Sequence, residues 1–230
     1  DLGVVGGEGL LDQHRLAGLA ANRLRVVPFG LPSFTTPGPR TPAAGVRNGP
    51  VRVGYVGGTR WRKGFDVLMA AGARLGPEDG IAIKVWGPSD PEEAVPATRA
   101  RVPVTLGGPY RRAEMSKVLG EMDMLVVPSI AAESFSFAAS EALAAGLPVL
   151  AARIGALPER LGPNVEDWTF RPDDEADLAR ALRGAAGRVR SGTGWVPVPI
   201  PAPMPQHAGV VEEVYVEAGA GWRCPLCGGA

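Results

Sequence analysis

The chain has 230 residues, 45% hydrophobic and 21% charged, which is enough apolar material for a real core and too little charge for a disordered polyelectrolyte. Lys plus Arg and Asp plus Glu each number 24, so the formal net charge is zero and no global electrostatic case exists for a nucleic-acid or polybasic membrane protein. The sequence has no apolar run near the roughly eighteen residues that suggest a membrane span, and no leader pattern at its start. The only cysteines, Cys224 and Cys227, offer no disulfide framework for the core, which favours a reducing, cytoplasmic setting.

Along the chain, residues 10–19 are weakly helical, and Leu24-Arg25-Val26-Val27 is a short extended run stopped by Pro28. Residues 32–50 carry turn formers and almost no apolar periodicity, and read as a linker. A regular alternation begins at Val51. Strands are expected at 51–56, 81–86, 102–106, 124–127 and 148–152, with helices at 64–75, 111–121, 136–145 and 175–186. Asp173-Asp174-Glu175 puts acids at the first turn of the last of these helices, where the dipole favours them. Short buried-type strands alternating with helices imply parallel βαβ units, with ligands beyond the strands' C-terminal ends. Residues 191–206 are proline-rich and semi-extended, and one more short helix is expected at 208–218.

Two segments carry candidate chemistry. In the first, Gly57-Gly58-Thr59-Arg60-Trp61-Arg62-Lys63-Gly64, two glycines allow close backbone approach and three cations gather before a helix, as a diphosphate would require. A solvated basic turn is the alternative, and the segment is neither a Walker loop nor a G-x-G-x-x-G. The second runs from Pro128 to Ala142, with an acid after a strand, two serines flanking a helix start and a second acid inside the helix. Ser134 and Ser136 are candidate caps for that helix. If all of 133–141 were helical, the carboxylates of Glu133 and Glu141 would lie ~10 Å apart, wide for two glycosidase carboxylates sharing one bond. That spacing suits two ends of an extended ligand, or simply a loop acid and a surface acid.

Both segments, in this order, resemble the donor-nucleotide half of the retaining GT-B glycosyltransferases of family 4. Lys63-Gly64-Phe65-Asp66-Val67-Leu68 is similar to the K-G-x-x-x-L element, and Glu133 through Glu141 to the E-x7-E motif, followed by Ala142 to Val149 in the expected register. Residues 123–129, 153–159 and 26–30 also resemble family segments, so the likeness covers about residues 20–186. It implies an α/β fold with a Rossmann-like parallel sheet and flanking helices, the C-terminal half of a GT-B fold.

In residue terms the resemblance implies that Lys63, with Arg60, Arg62 and Gly58, binds the donor diphosphate and that Glu141 holds the ribose. Glu133 would be the catalytic residue, at the transferred sugar. Backbone near Ser134, Phe135 and Ser136 would cradle sugar or phosphate, and Gly87 and Gly107 would flank the base. The sequence has no D-x-D motif, in line with a family that usually works without a metal, so neither metal nor cofactor is expected. The chain departs from the family at Ser134 and Ser136, where glycines are usual, at Phe29, where asparagine is usual, and at residues 162–168, which replace a G-x-x-G loop.

The implied division is a remnant of an acceptor domain and crossover at 1–31, a linker at 32–50 and a donor-binding domain at 51–187. A Pro-rich linker at 188–207, a terminal helix at 208–221 and a CxxC segment at 222–230 would follow. The implied reaction is transfer of a sugar from a nucleoside diphosphate sugar to a hydroxyl acceptor, in a polysaccharide or glycolipid or on a small molecule. The alternatives are a GT-B-shaped nucleotide-sugar epimerase and a non-catalytic nucleotide-sugar binding module. Nucleic acid is not an expected partner, and membrane association, at the inner face, would fall to the acceptor domain. The chain reads as a fragment, inactive without that domain. Cys224 and Cys227 read as unligated thiols or as half of a zinc knuckle.

Overall fold

The computed structural model describes residues 3–27, 29–31, 49–59, 61–88, 100–200 and 204–217. Arg60, Cys224 and Cys227 lie outside the described residues, as does the side chain of Tyr215.

The core is a six-stranded parallel sheet formed by β3 (Val51–Val56), β4 (Ile81–Trp86), β5 (Val104–Gly108), β6 (Met124–Val127), β7 (Val149–Ala152) and β8 (Thr169–Phe170), in the order β5-β4-β3-β6-β7-β8. The four residues of β6 and the four of β7 are all buried, the uninterrupted apolar pattern of strands covered on both faces. A separate two-stranded parallel sheet pairs β1 (Gly3–Val5) with β2 (Leu24–Val26), and α1 (Glu8–Leu16) packs on it.

The helices follow from local chemistry. α6 (Glu175–Ser191) starts at Asp174, whose side chain accepts from the Asp177 amide at 2.8 Å, and ends at Gly192 in the left-handed region. Acids fill its first turn and Arg188 and Arg190 its last, both matched to the helix dipole. α6 packs on α2 (Phe65–Ala73), while α4 (Phe137–Ala144) packs on β6 and β7 beside α5 (Leu157–Leu161). α3 (Met115–Gly120) is shorter than the helix expected at 111–121, because a 3-10 turn at Arg112–Glu114 takes up its first residues. The short elements β1, α5 and β8 were not expected from the sequence.

α6 runs five residues past its expected end at 186. The stretch after it is fastened to the sheet domain. Trp168 Nε1 donates to the Gly194 carbonyl at 2.6 Å, and the Asn164 amide exchanges two 2.8 Å bonds with the backbone of Val196. The last described helix, α7 (Met204–Glu217), meets the crossover strand where the Met204 amide donates to the Leu31 carbonyl at 3.1 Å.

Candidate functional site

From β3 the chain winds outward through β4 to β5, then returns to β6 on the other side of β3 and winds outward again. That reversal is the topological switch point at which parallel α/β sheets open a crevice beyond their C-terminal strand ends. A cavity of about 230 Å³ lies there, lined by Tyr55 and Val56 from β3, Val126 and Val127 from β6, Pro128 and Ser129 just past it, Lys63, Phe29 and residues 133–138.

Lys63 reaches the cavity because its turn is locked in place. Gly64 sits at φ 74°, and a Cβ there would come 1.7 Å from the Pro128 carbonyl oxygen, so only glycine lets this turn seat against the end of β6. The Ile130 amide donates to the Arg62 carbonyl at 3.2 Å, and the Tyr55 hydroxyl donates to the Gly58 carbonyl at 2.8 Å, fixing the turn from two sides. Burial pushes the Tyr55 hydroxyl's pKa far up, with Glu133 and Asp66 adding to it, so Tyr55 stays a neutral donor. Lys63 Nζ then meets Glu133 Oε1 at 2.7 Å, and the buried Ser129 hydroxyl donates to the same oxygen at 2.6 Å.

Glu133 precedes α4 by four residues, so the helical spacing considered for the Glu133–Glu141 pair does not apply. Its backbone is held by the loop after β7: the Ala156 amide donates to its carbonyl at 2.9 Å, and a Cβ on Gly155 would strike that carbonyl at 2.5 Å. Ser136 is the N-cap of α4, but its side chain makes no capping bond. It stands instead at φ 60°, a left-handed conformation rare for a residue with a Cβ. The expected capping role is thereby corrected: backbone shape, not the hydroxyl, starts this helix, which leaves the first amides of α4 unpaired within it.

Glu141 is 2% exposed and does not line this cavity. Arg112 Nη2 approaches its Oε1 to 2.7 Å as an ion pair, while that oxygen has no aligned hydrogen-bond donor. Burial raises the Glu141 pKa and Arg112 opposes the rise. Tyr110, whose pKa is raised by burial and then by Glu141, stands beside it and meets Trp86 edge-on at 6.5 Å. Trp86 buries its Nε1 without a partner.

The cavity thus brings together Lys63, Glu133, Ser134, Phe135 and Ser136. The other expected residues lie around it. The Gly58 amide is spent on the Trp86 carbonyl at 3.2 Å, so its contribution is the turn itself. The Arg62 guanidinium stacks on Trp61 at 5.6 Å, outside the cavity lining. Gly87 packs on Gly58, where a Cβ would meet its amide nitrogen at 2.5 Å, and Gly107 packs on the Trp86 indole. Ser129, Arg112 and the aromatic residues Tyr55 and Phe137 were missed as site residues, and Phe29 was noted only as a departure from the family pattern. Ser129 was findable, as the second residue past a strand at the switch point. Arg112 comes from a distant segment that no local pattern connects to the site.

Fold and site define a parallel α/β domain with a charged crevice at its switch point. Residues 50–186 match the profile of the group 1 glycosyl transferases, and the chain belongs to that family. It is 32% identical over 168 residues to the D-inositol 3-phosphate glycosyltransferase of Mycobacterium marinum, covering 65% of this chain and 34% of that protein. The enzyme of the same name from Mycolicibacterium smegmatis is 34% identical over 159 residues, covering 64% and 36%. The chain therefore spans about a third of the length of these curated relatives. Among solved structures, Anabaena Alr3699/HepE in complex with UDP superposes with a TM-score of 0.68 at 17% identity, covering 94% of this chain and 64% of that one. Sucrose-phosphate synthase from Thermosynechococcus elongatus superposes with a TM-score of 0.66 at 22% identity, covering 95% and 58%. These likenesses show the GT-B type of fold, of which this chain carries the six-stranded half.

Proposed function

We propose that this chain is the donor-binding part of a retaining glycosyltransferase that moves a sugar from a nucleoside diphosphate sugar to a hydroxyl acceptor. The observation that carries the reading is the Lys63–Glu133–Ser129 cluster, set at the switch point beside the start of α4. The relatives named as glycosyltransferases, and the neighbour captured with UDP-glucose, support a nucleotide-sugar donor.

A diphosphate at Lys63 replaces the Glu133 carboxylate as its partner and frees that carboxylate to face the sugar. As the bond from C1 to the diphosphate breaks, negative charge builds on the leaving oxygen. Lys63 and the unpaired first amides of α4 meet that charge without reorganising. The acceptor oxygen bonds C1 on the face the diphosphate leaves, and its proton passes to the departing diphosphate. Glu141 accepts from the ribose hydroxyls once Arg112 swings aside. None of these steps calls on a metal. The acceptor is a glycan, a lipid-linked sugar or a small molecule, presented by a second domain that also sets any membrane association, and the reaction takes place in the cytoplasm.

The test joins this chain to an acceptor domain and follows the product by proton NMR. Acceptor-dependent product with the donor's anomeric configuration is expected. An inverted product would overturn the retaining mechanism, and conversion of the sugar nucleotide without acceptor would favour an epimerase.

A further inference from the structure

The short helix α5 carries two neighbouring charges that go to different partners. Glu159 accepts from the Glu8 amide at 2.9 Å and from the Gly9 amide, so its carboxylate is spent on the first turn of α1. Arg160 lays its guanidinium over the Phe135 ring, 4.1 Å from the centroid. Among the described residues it makes no ion pair and no hydrogen bond, and its Nε is buried without a partner. Burial lowers the Arg160 pKa and Glu159 opposes the fall, but a guanidinium keeps its proton at any ordinary pH. A half-buried cation with no bonded partner is costly to keep.

Phe135, the residue beneath it, is 1% exposed, lines the switch-point cavity and directly precedes Ser136, the N-cap of α4. Phe29 and Phe137 meet its ring at 5.6 and 5.0 Å, so aromatic carbon packs around it. The guanidinium therefore lies within roughly 10 Å of the Phe135 backbone, about the screening length at 0.1 M salt, and the packed rings between screen charge weakly. The unpaired first amides of α4 begin two residues further on, where helix dipole and cation have the same sign.

We propose that Arg160 strengthens the binding of an anionic group at the start of α4 through its charge, from behind Phe135 and without touching the ligand. The inference rests on the donor-site reading above, which puts a diphosphate there. Arg160 then serves the diphosphate alone, and the nucleoside gains nothing from it. At about 10 Å and an effective dielectric constant of about 20, a unit charge shifts the affinity for an anion by roughly tenfold.

The test titrates UDP, GDP and ADP, and the nucleoside of whichever binds, into the 230-residue chain and into Arg160→Met and Arg160→Lys. Methionine keeps an unbranched side chain on the Phe135 ring and drops the charge, whereas lysine keeps the charge. Removing a half-buried cation with no bonded partner should leave Tm unchanged or higher, so Arg160→Met stays folded. The diphosphate should bind Arg160→Met roughly tenfold more weakly and regain most of that loss in Arg160→Lys. The nucleoside, followed by NMR, should bind all three proteins equally. An unchanged diphosphate affinity in Arg160→Met, an equal loss for nucleoside and diphosphate, or no recovery with lysine overturns the proposal and leaves the donor site standing. Binding of none of the three nucleotides by folded protein overturns the donor-site reading and this inference with it.

Discussion

Glu141 is a buried acid whose ionised form is the costly one. Burial raises its native pKa above the unfolded value, so the native state holds the proton more tightly. The native state gains from this below the unfolded pKa, and the gain is lost as pH rises through the native pKa. Glu141→Gln should therefore raise Tm at neutral pH while weakening nucleotide binding, read by thermal melts and titration on the same sample. On the proposed function the ribose hydroxyls donate to the ionised carboxylate of Glu141. Affinity should accordingly fall with acid at a pH above the ordinary glutamate range, and Glu141→Gln should flatten that limb.

Ser136 makes the complementary case. Its left-handed backbone costs roughly 1–2 kcal/mol for a residue with a Cβ, and glycine would return about 0.5–1 kcal/mol of that as unfolded-chain entropy. Ser136→Gly is thus expected to stabilise the fold by a fraction of 1 kcal/mol up to about 1 kcal/mol, measured by denaturant titration. The serine at this position was legible as a departure from the glycine that the family resemblance implies. The strain was not, because only the backbone angle reveals it.

At the scale of elements, the strands expected at 51–56, 81–86 and 124–127 match the structure residue for residue, because buried parallel strands are written as short β-branched runs ended by glycine or proline. The element β8, two residues long, leaves too short a pattern to detect. The proline-rich stretch read as a linker from composition, yet the ring of Trp168 and the amide of Asn164 hold it through partners 26 and 32 residues away. Asn164 is 3% exposed, so Asn164→Ala removes its bond to the buried Leu161 carbonyl and both of its part-buried bonds to the Val196 backbone. A loss of about 1–3 kcal/mol is expected from denaturant melts, together with earlier proteolysis after Ser191. Unchanged stability would mean that the strap does not hold in solution.

Across the whole molecule, the site exists because the sheet reverses direction between β3 and β6, and that reversal sets the ends of two strands beside the start of α4. The class of fold and the residues Lys63 and Glu133 could be read from the chain. Their 2.7 Å pairing could not, since 70 residues separate them and only the strand order brings them together. The same holds for Arg112 and Glu141, whose ion pair joins the turn before α3 to the interior of α4. The domain thus pairs both carboxylates with its own cations, and on the proposed function a donor exchanges partners with them.

The most direct test of this account is calorimetric titration of UDP, GDP and ADP into the chain and into Lys63→Ala and Glu141→Ala. One nucleotide should bind saturably and lose about 1–3 kcal/mol, roughly ten- to a hundredfold in Kd, in each variant. Folded protein that binds none of the three, or that binds one equally well without Lys63, would contradict the assignment of the switch-point cavity as a diphosphate site.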